Sequence, residues 1–258
     1  MALNFIEFSF PAVANVRCAF QTRSGDLRSP FDGGNVSLDL QRDVAQTRKN
    51  RAEMLSRLSG RGLARLAELR QVHGDAMVFE PADAETDLPP QTDGDGMATA
   101  CPGKGLLIKT ADCQPILIAD CRGRAVAAVH AGWRGSRCAF PQTAVARFCE
   151  RYGLSPEELV AVRGPSLGPA KAEFVNFESE WGDEFAEWFD PRTRTMDLWS
   201  LTRRQLRAAG IPERQIFGID LCTFSNGNFF SHRRDRNSGR QGSLIWIDAS
   251  GGAGRARQ

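Results

Sequence analysis

Three short segments each place one metal-binding or nucleophilic side chain at the end of a predicted strand. The chain has only three histidines, and two of them fall in these segments. Loops at strand ends often carry functional groups because the sheet holds them rigidly. The segments are "QVHG" at 71–74 with His73, "TADCQP" at 110–115 with Cys113, and "HAGWRG" at 130–135 with His130.

These side-chain types are suited to a metal ion. Imidazole and thiolate are preferred ligands of Zn²⁺, and two His plus one Cys leave a fourth tetrahedral position open. An open position is typical of a catalytic zinc site. The spacing of His73, Cys113 and His130 matches no local metal motif, so a buried core cysteine and a histidine that caps a backbone carbonyl are equally compatible with the sequence.

A second chemistry uses the same atoms. Cys113 as nucleophile and His130 as base would make a cysteine-type hydrolase or amidase. Asp112 or another acid would then orient the imidazole. The sequence does not separate a thiolate held by zinc from one held by an imidazolium.

The C-terminal third has an excess of positive charge. Residues 192–258 contain twelve Arg, no Lys and five acidic residues, which favours an anionic ligand. Guanidinium groups bind phosphate or carboxylate through two parallel hydrogen bonds, whereas a solvated hairpin turn is the alternative interpretation. The patch is short and has few interleaved aromatic residues, which argues against nucleic-acid binding. Its densest part is "FFSHRRDRNSGR", which contains His232, Arg233, Arg234, Arg236 and Arg240.

Composition and cysteine content indicate a globular protein of the cytoplasm. The chain has 258 residues, 41% hydrophobic and 25% charged, with a net charge of +2. Seven cysteines occur without a CxxC pair, so neither a zinc ribbon nor a redox dithiol is predicted. The N-terminus does not resemble a signal peptide, and no apolar run approaches the roughly 20 residues of a membrane span. We therefore expect reduced thiols.

The pattern of elements predicts an α/β fold, a layered sandwich of mixed β-sheets flanked by helices. Asp43 is expected to cap a helix from Val44 to Leu58 that Gly60 ends. Residues 81–103 are expected to form an acidic loop. Residues 1–250 are predicted to form one domain, followed by a flexible basic tail at 251–258. Further helices are predicted over 136–152, 177–189 and 198–210, and strands at "VRCAFQT", "LRQVHG", "AMVFE", "GLLIKT", "PILIAD", "RAVAAVH", "ELVAVRG", "QIFGID" and "GSLIWI".

Several segments, in this order, resemble the YfiH laccase-domain family. Members of that family were called multicopper polyphenol oxidases and are now described as purine nucleoside phosphorylases. The resemblance runs from Asn35 to Asp248, and the combination of "HAGWRG" with the Cys113 segment is its most specific part. The other segments are "LRQVHG", "GPSLGP", "DLWSLTRRQLRAAGI" and "FFSHRRDRNSGR" followed by "LIWI".

The resemblance implies a catalytic zinc site made by His73, Cys113 and His130. It implies phosphorolysis of adenosine, inosine or guanosine, with methylthioadenosine cleavage and adenosine deamination as further activities. Some relatives are linked to editing of peptidoglycan precursors, an amidase-like reaction. Copper is less suitable, because one His₂Cys set cannot build a multicopper cluster. We expect a monomer that binds a nucleoside and phosphate, without a nucleic-acid or membrane partner. Asn35, Arg134, Arg233 and Arg240 are the predicted substrate-binding residues.

Overall fold

The computed structural model describes residues 3–24, 29, 31–85 and 87–250. Its helices are α1 (Val44–Ser59), α2 (Trp133–Arg137), α3 (Phe140–Tyr152), α4 (Phe177–Glu180) and α5 (Leu198–Ala208). Its strands are β1 (Asn4–Phe8), β2 (Val16–Thr22), β3 (Arg65–Ala67), β4 (Met77–Phe79), β5 (Gly96–Thr99), β6 (Lys104–Thr110), β7 (Gln114–Asp120), β8 (Val126–Ala131), β9 (Leu159–Arg163), β10 (Phe189–Asp190), β11 (Thr195–Met196), β12 (Ile216–Gly218) and β13 (Gln241–Ile247).

Two mixed sheets form the centre of the fold. The first has the strand order β1-β2-β13-β6-β3, and the second has the order β12-β9-β7-β8-β5-β4. Most neighbouring strands are antiparallel, but β3 runs parallel to β6, β4 to β5, and β12 to β9. The predicted class, α/β with mixed sheets, is confirmed.

Alternation along the strands produces four layers. In β2, Cys18 and Phe20 point into the core between the sheets, whereas Ala19 points to the opposite side. Side chains of α1, including Met54 and Leu58, cover that outer face of the first sheet. Helices α3 and α5 cover the outer face of the second sheet. Successive strand residues point to opposite faces, so each sheet needs apolar partners on both sides.

The first long helix confirms its prediction closely. The Asp43 side chain accepts a hydrogen bond from the backbone N–H of Gln46 at 3.2 Å, which satisfies one of the free donors of the first turn. Gly60 is the C-terminal cap. Local sequence signals are sufficient here because capping acts within a few residues of the helix end.

Two helix predictions were wrong in their extent. The predicted helix over 136–152 is interrupted, because Ala139 adopts a left-handed conformation with φ of 55° between α2 and α3. Pro141 lies in the first turn of α3, where its missing N–H costs no hydrogen bond. The predicted helix over 177–189 consists only of α4 and a 3-10 helix, Asp183–Trp188, separated at Gly182, whose φ is 108°.

Two loop and strand predictions also need correction. The "LRQVHG" segment is not a strand, because β3 ends at Ala67 and His73 lies in a turn. The loop predicted over 81–103 contains β5, which pairs with β8 inside the second sheet.

No helix in the described ranges is both long and apolar enough to cross a membrane. A single domain over 1–250 stays a prediction, and the tail at 251–258 lies outside the described residues.

Candidate metal centre

Strand register brings two of the three candidate ligands to one end of the second sheet. His130 lies near the end of β8 and is opposite Pro115 of β7. Cys113 immediately precedes β7, in a turn where Asp112 has a φ of 97°. His73 comes from the turn between β3 and β4, with a φ of 60°.

The three side chains form one compact group. Their ligand atoms all lie within 4.8 Å of one another. Sγ of Cys113 is 3.8 Å from Nε2 of His73, and the rings of His73 and His130 meet edge to face with centroids 4.9 Å apart. Elsewhere in the part of the chain that the structure describes, no other such group of three potential ligands occurs. This His-Cys-His group can bind a metal ion.

A buried carboxylate orients both histidines. Oδ1 of Asp95 lies 2.7 Å from Nδ1 of His130 and accepts the backbone N–H of His73 at 3.0 Å. Oδ2 accepts the backbone N–H of Gly74 at 2.7 Å. With Nδ1 engaged, Nε2 of His130 is left for the ligand side, the arrangement found for metal-bound histidines.

Asp95, not Asp112, fills the orienting role that the sequence left open. Asp112 instead accepts hydrogen bonds from the hydroxyl of Thr223 at 2.7 Å and the backbone N–H of Arg233 at 2.6 Å. Asp95 was missed because it sits in an acidic segment that predicts a loop. The only signal was its position one residue before the "GMAT" run, which forms β5.

The charges of the group stabilise a thiolate. Burial opposes ionisation of the Cys113 thiol, but the charge and hydrogen bond of His130, together with His73, lower its pKa to about 6. Burial disfavours the His130 imidazolium, whereas Cys113 and Asp95 raise its pKa to about 9. Burial also opposes the charge of Asp95, and the hydrogen bonds from His130, Gly74 and His73 lower its pKa. Metal binding requires this deprotonated thiol.

Gly132 leaves space for the side chains of His73 and Cys113 to approach each other. A Cβ atom at this position would lie 2.9 Å from Cδ2 of His73 and 3.2 Å from Sγ of Cys113. Its φ of −76° is open to any residue, so the glycine is required by space and not by backbone conformation.

Two cavities open beside the group, and their walls differ. The larger, about 580 Å³, is lined by polar side chains that include Asp39, Gln71, Lys109 and Arg240. The smaller, about 330 Å³, has aromatic and apolar walls that include Trp133, Phe174, Leu167 and Leu198. His73, Cys113 and His232 line both cavities. Both volumes fall within or near the range of about 300–1,000 Å³ for small-molecule sites.

The three predicted arginines are divided between these cavities. Arg240 lines the polar cavity, is partly buried, and donates from Nη1 to the carbonyls of Ser238 and Gly239. Arg233 and Arg134 line the aromatic cavity and are exposed. Burial lowers the pKa of Arg240, whereas the charges of Cys113, Asp112 and Asp39 act in the opposite direction.

Asn35 lies outside both cavities. Its side chain is buried, donates to the hydroxyl of Thr47 at 2.9 Å, and accepts the backbone N–H of Arg240 at 2.9 Å. It therefore holds the chain segment that carries Arg240. Its role in substrate binding stays a prediction.

Fold and site together define the class to which this chain belongs. The family described as "Multi-copper polyphenol oxidoreductase laccase" matches residues 17–248, so the chain is a member of that family. The structure of a Neisseria meningitidis protein superposes with a TM-score of 0.80 at 28% identity, over 95% of this chain and 100% of the other. The structure of YlmD from Geobacillus stearothermophilus superposes with a TM-score of 0.77 at 26% identity, over 92% of this chain and 93% of YlmD.

Two curated relatives of this chain are both named as purine nucleoside phosphorylases. A purine nucleoside phosphorylase of Pseudomonas aeruginosa is 34% identical over 248 residues, covering 92% of this chain and 96% of the relative. Purine nucleoside phosphorylase YfiH of Escherichia coli is 30% identical over 251 residues, with the same coverage.

Proposed function

We propose that this protein is a zinc-dependent purine nucleoside phosphorylase that cleaves adenosine, inosine or guanosine with phosphate. The observation that carries the proposal is the His73–Cys113–His130 group at the junction of a polar and an aromatic cavity. The names of the relatives support the reaction class.

The residues of the group fit a zinc ion. Two imidazoles and a thiolate of lowered pKa are suitable ligands, and Asp95 fixes the ring of His130. A zinc ion held there would supply Lewis-acid chemistry. Copper is a weaker candidate, because one such group in the described ranges supplies a single site and not a cluster.

The reaction breaks the C1′–N9 bond of the nucleoside and forms a bond from C1′ to a phosphate oxygen, while the departing purine takes up a proton. Positive charge develops on the sugar, so the phosphate must be held beside C1′. A guanidinium group in the polar cavity fits this need, and Arg240 is the best placed of the predicted residues. Arg134 and Arg233 at the aromatic cavity are the alternative anion ligands.

The deciding experiment combines metal analysis with a nucleoside panel. Protein purified without added metal is analysed for zinc and copper. Adenosine, inosine, guanosine and methylthioadenosine are then assayed with and without phosphate, and adenosine is also assayed for deamination. Stoichiometric zinc and phosphate-dependent release of the base support the proposal. Turnover that persists in a chelator, from protein without zinc, would overturn it.

A matched variant tests the ligand assignment. Cys113→Ala is expected to lose zinc and activity while the fold survives, because one ligand is a large loss to the site and a small loss to the core. Cys138→Ala, which removes an exposed cysteine, is the control and should keep both. A Cys113→Ala protein with full zinc content would contradict the assignment.

A cysteine-type amide hydrolase is the second candidate. The observation that favours it is the shift of the Cys113 and His130 pKa values towards a thiolate–imidazolium pair. Such an enzyme would cleave amides, including peptidoglycan precursors, in the presence of a chelator, and alkylation of Cys113 would inactivate it. The expectations of a monomer and of a cytoplasmic location stay predictions.

A further inference from the structure

We propose that Asp39 binds the ribose hydroxyls of the substrate and makes the enzyme selective for ribonucleosides. The inference deepens the proposed function and rests on it. It assigns a substrate contact on the wall of the polar cavity to a residue that no sequence motif singled out.

One oxygen of the Asp39 carboxylate is held and the other is available. Oδ2 accepts hydrogen bonds from Nζ of Lys109 at 2.6 Å and from the hydroxyl of Ser37 at 3.1 Å. Among the described residues, no hydrogen bond reaches Oδ1. The Asp39 side chain is 31% exposed and lines the cavity that also contains His73 and Cys113.

A chain of buried charges fixes this carboxylate from behind. Lys109 also binds Oε2 of Glu68 at 2.8 Å, and Oε1 of Glu68 is bound by Nη2 of Arg51. The side chains of Lys109, Glu68 and Arg51 are each no more than 3% exposed. Two cations and two anions thus alternate from the core to the cavity, and their formal charges cancel.

This arrangement is more than a surface ion pair. Buried charges carry a desolvation cost that only well-placed partners offset. Lys109 is held from a second side as well, because its backbone N–H and C=O both bond to the Gln71 amide, at 2.8 and 2.9 Å. Gln71 lies two residues before His73. Strand β6, which carries Lys109, is therefore tied to the turn that carries His73. Asp39 is therefore preorganised with respect to the site.

The difference between the two cavities indicates which part of a nucleoside lies near Asp39. The flat purine fits the cavity with Trp133 and Phe174, which offers aromatic and apolar contact. The sugar then extends into the cavity of Asp39, Lys109 and Arg240. The charges of both Asp39 and Cys113 act on Arg240, so the three groups belong to one electrostatic environment. A carboxylate oxygen without a protein donor is suited to accept hydrogen bonds from a sugar hydroxyl, as acidic residues do for ribose in dinucleotide sites.

The test compares sugars on a constant base. Values of kcat/KM are measured with zinc-loaded protein and phosphate for adenosine, 2′-deoxyadenosine and 3′-deoxyadenosine. For Asp39→Ala we expect a loss of about 10–100-fold on adenosine and little change on at least one deoxynucleoside, because a hydrogen bond to a charged group is lost only where the hydroxyl exists. Asp39→Asn keeps an acceptor for Lys109 but removes the charge that balances its buried ammonium group, so it should show the same loss of selectivity with a smaller drop in melting temperature than Asp39→Ala.

Glu213→Ala, which removes an exposed carboxylate paired with Arg203 and Arg207, is the matched control and should retain the selectivity of the wild type. Equal losses on all three nucleosides in both Asp39 variants would overturn the proposal.

Calorimetric binding of the same nucleosides separates this proposal from the proposed reaction. Binding that depends on Asp39 and on a hydroxyl, without phosphorolysis, would reject the proposed reaction and support the sugar contact. Absence of nucleoside binding by the wild type would reject both.

Discussion

Nδ1 of His130 and Oδ1 of Asp95 lie 2.7 Å apart, and both side chains are buried. The same carboxylate accepts the backbone N–H groups of Val72, His73 and Gly74. One acid therefore fixes the ring of one candidate ligand and the backbone of the other. This explains how His73 keeps its positive φ at an exposed turn.

Asp95→Asn is expected to weaken zinc affinity by about 10–100-fold, the usual effect of removing a partner that orients a metal-bound histidine. Zinc affinity is measured by competition with a chromophoric chelator. Asp120→Asn is the matched control, because Asp120 is equally buried and hydrogen-bonded, to Arg124, at the far end of β7. Unchanged zinc affinity in Asp95→Asn would show that the carboxylate serves folding alone.

Gly132→Ala is expected to damage the site more than the fold. The added methyl group must displace the ring of His73 or the sulfur of Cys113, whereas the backbone can accept alanine without strain. We expect a loss of zinc affinity of at least about tenfold with little change in the melting temperature. Gly60→Ala meets no atom within 4 Å at a helical φ, so it is the neutral control. Native zinc binding in Gly132→Ala would contradict the observed packing.

The reactivity of Cys113 in metal-free protein should follow its lowered pKa. Iodoacetamide labelling, mapped by mass spectrometry, is expected to show a midpoint near pH 6 for Cys113. Cys138 is the internal control, because burial and Asp75 raise its pKa and its midpoint should lie above that of an ordinary thiol. A Cys113 midpoint near that of an ordinary thiol would contradict the ion pair.

The Cys113–His130 pair predicts how the free energy of unfolding depends on pH in the metal-free protein. The pKa of Cys113 is lower in the folded state, so its contribution is lost as pH falls through about 6. The pKa of His130 is higher in the folded state, so its contribution is lost as pH rises through about 9. Between these two pH values the folded pair holds its one proton on the imidazole of His130, whereas the unfolded chain holds it on the sulfur of Cys113. Folding therefore neither takes up nor releases a proton at this pair. The difference in urea unfolding free energy between wild type and the double variant Cys113→Ala/His130→Ala, which removes both titrating groups, should therefore be flat from about pH 7 to 8.5, and a steep slope there would contradict the assignment.

Arg240→Ala is expected to raise the KM for phosphate about 10–100-fold and to change the KM for the nucleoside much less, because the lost contact concerns one substrate. Arg240→Lys should restore little, since an ammonium group does not reproduce the guanidinium fork. The same assay on Arg233→Ala and Arg134→Ala compares the two cavities, and Arg204→Ala on the exposed face of α5 is the control. An unchanged phosphate dependence in all three arginine variants would exclude these residues as the anion site.

Local signals in the sequence were enough for much of the fold and for naming the three candidate ligands that the structure brings together. Capping by Asp43, the alternation in β2 and the apolar runs of β7 and β8 act over a few residues, so the elements could be predicted before their packing was known. His73, Cys113 and His130 were recognisable because each places a donor side chain among small and turn-forming residues, although His73 lies in a turn and not at the strand end that was predicted. The sequence also predicted the arginine-rich turn, but not which cavity each arginine faces.

Only the tertiary structure decided what surrounds those residues. Asp95 reaches His130 because β5 pairs with β8, and that register is invisible in an acidic segment that predicts a loop. Lys109 is 70 residues from Asp39 and 41 residues from Glu68 along the chain. Nothing in this spacing predicts that the three side chains form a chain of ion pairs. Hydrophobic patterning specifies which face of each strand is buried, but the distance between side chains on different strands is set only when two sheets and their helices pack together.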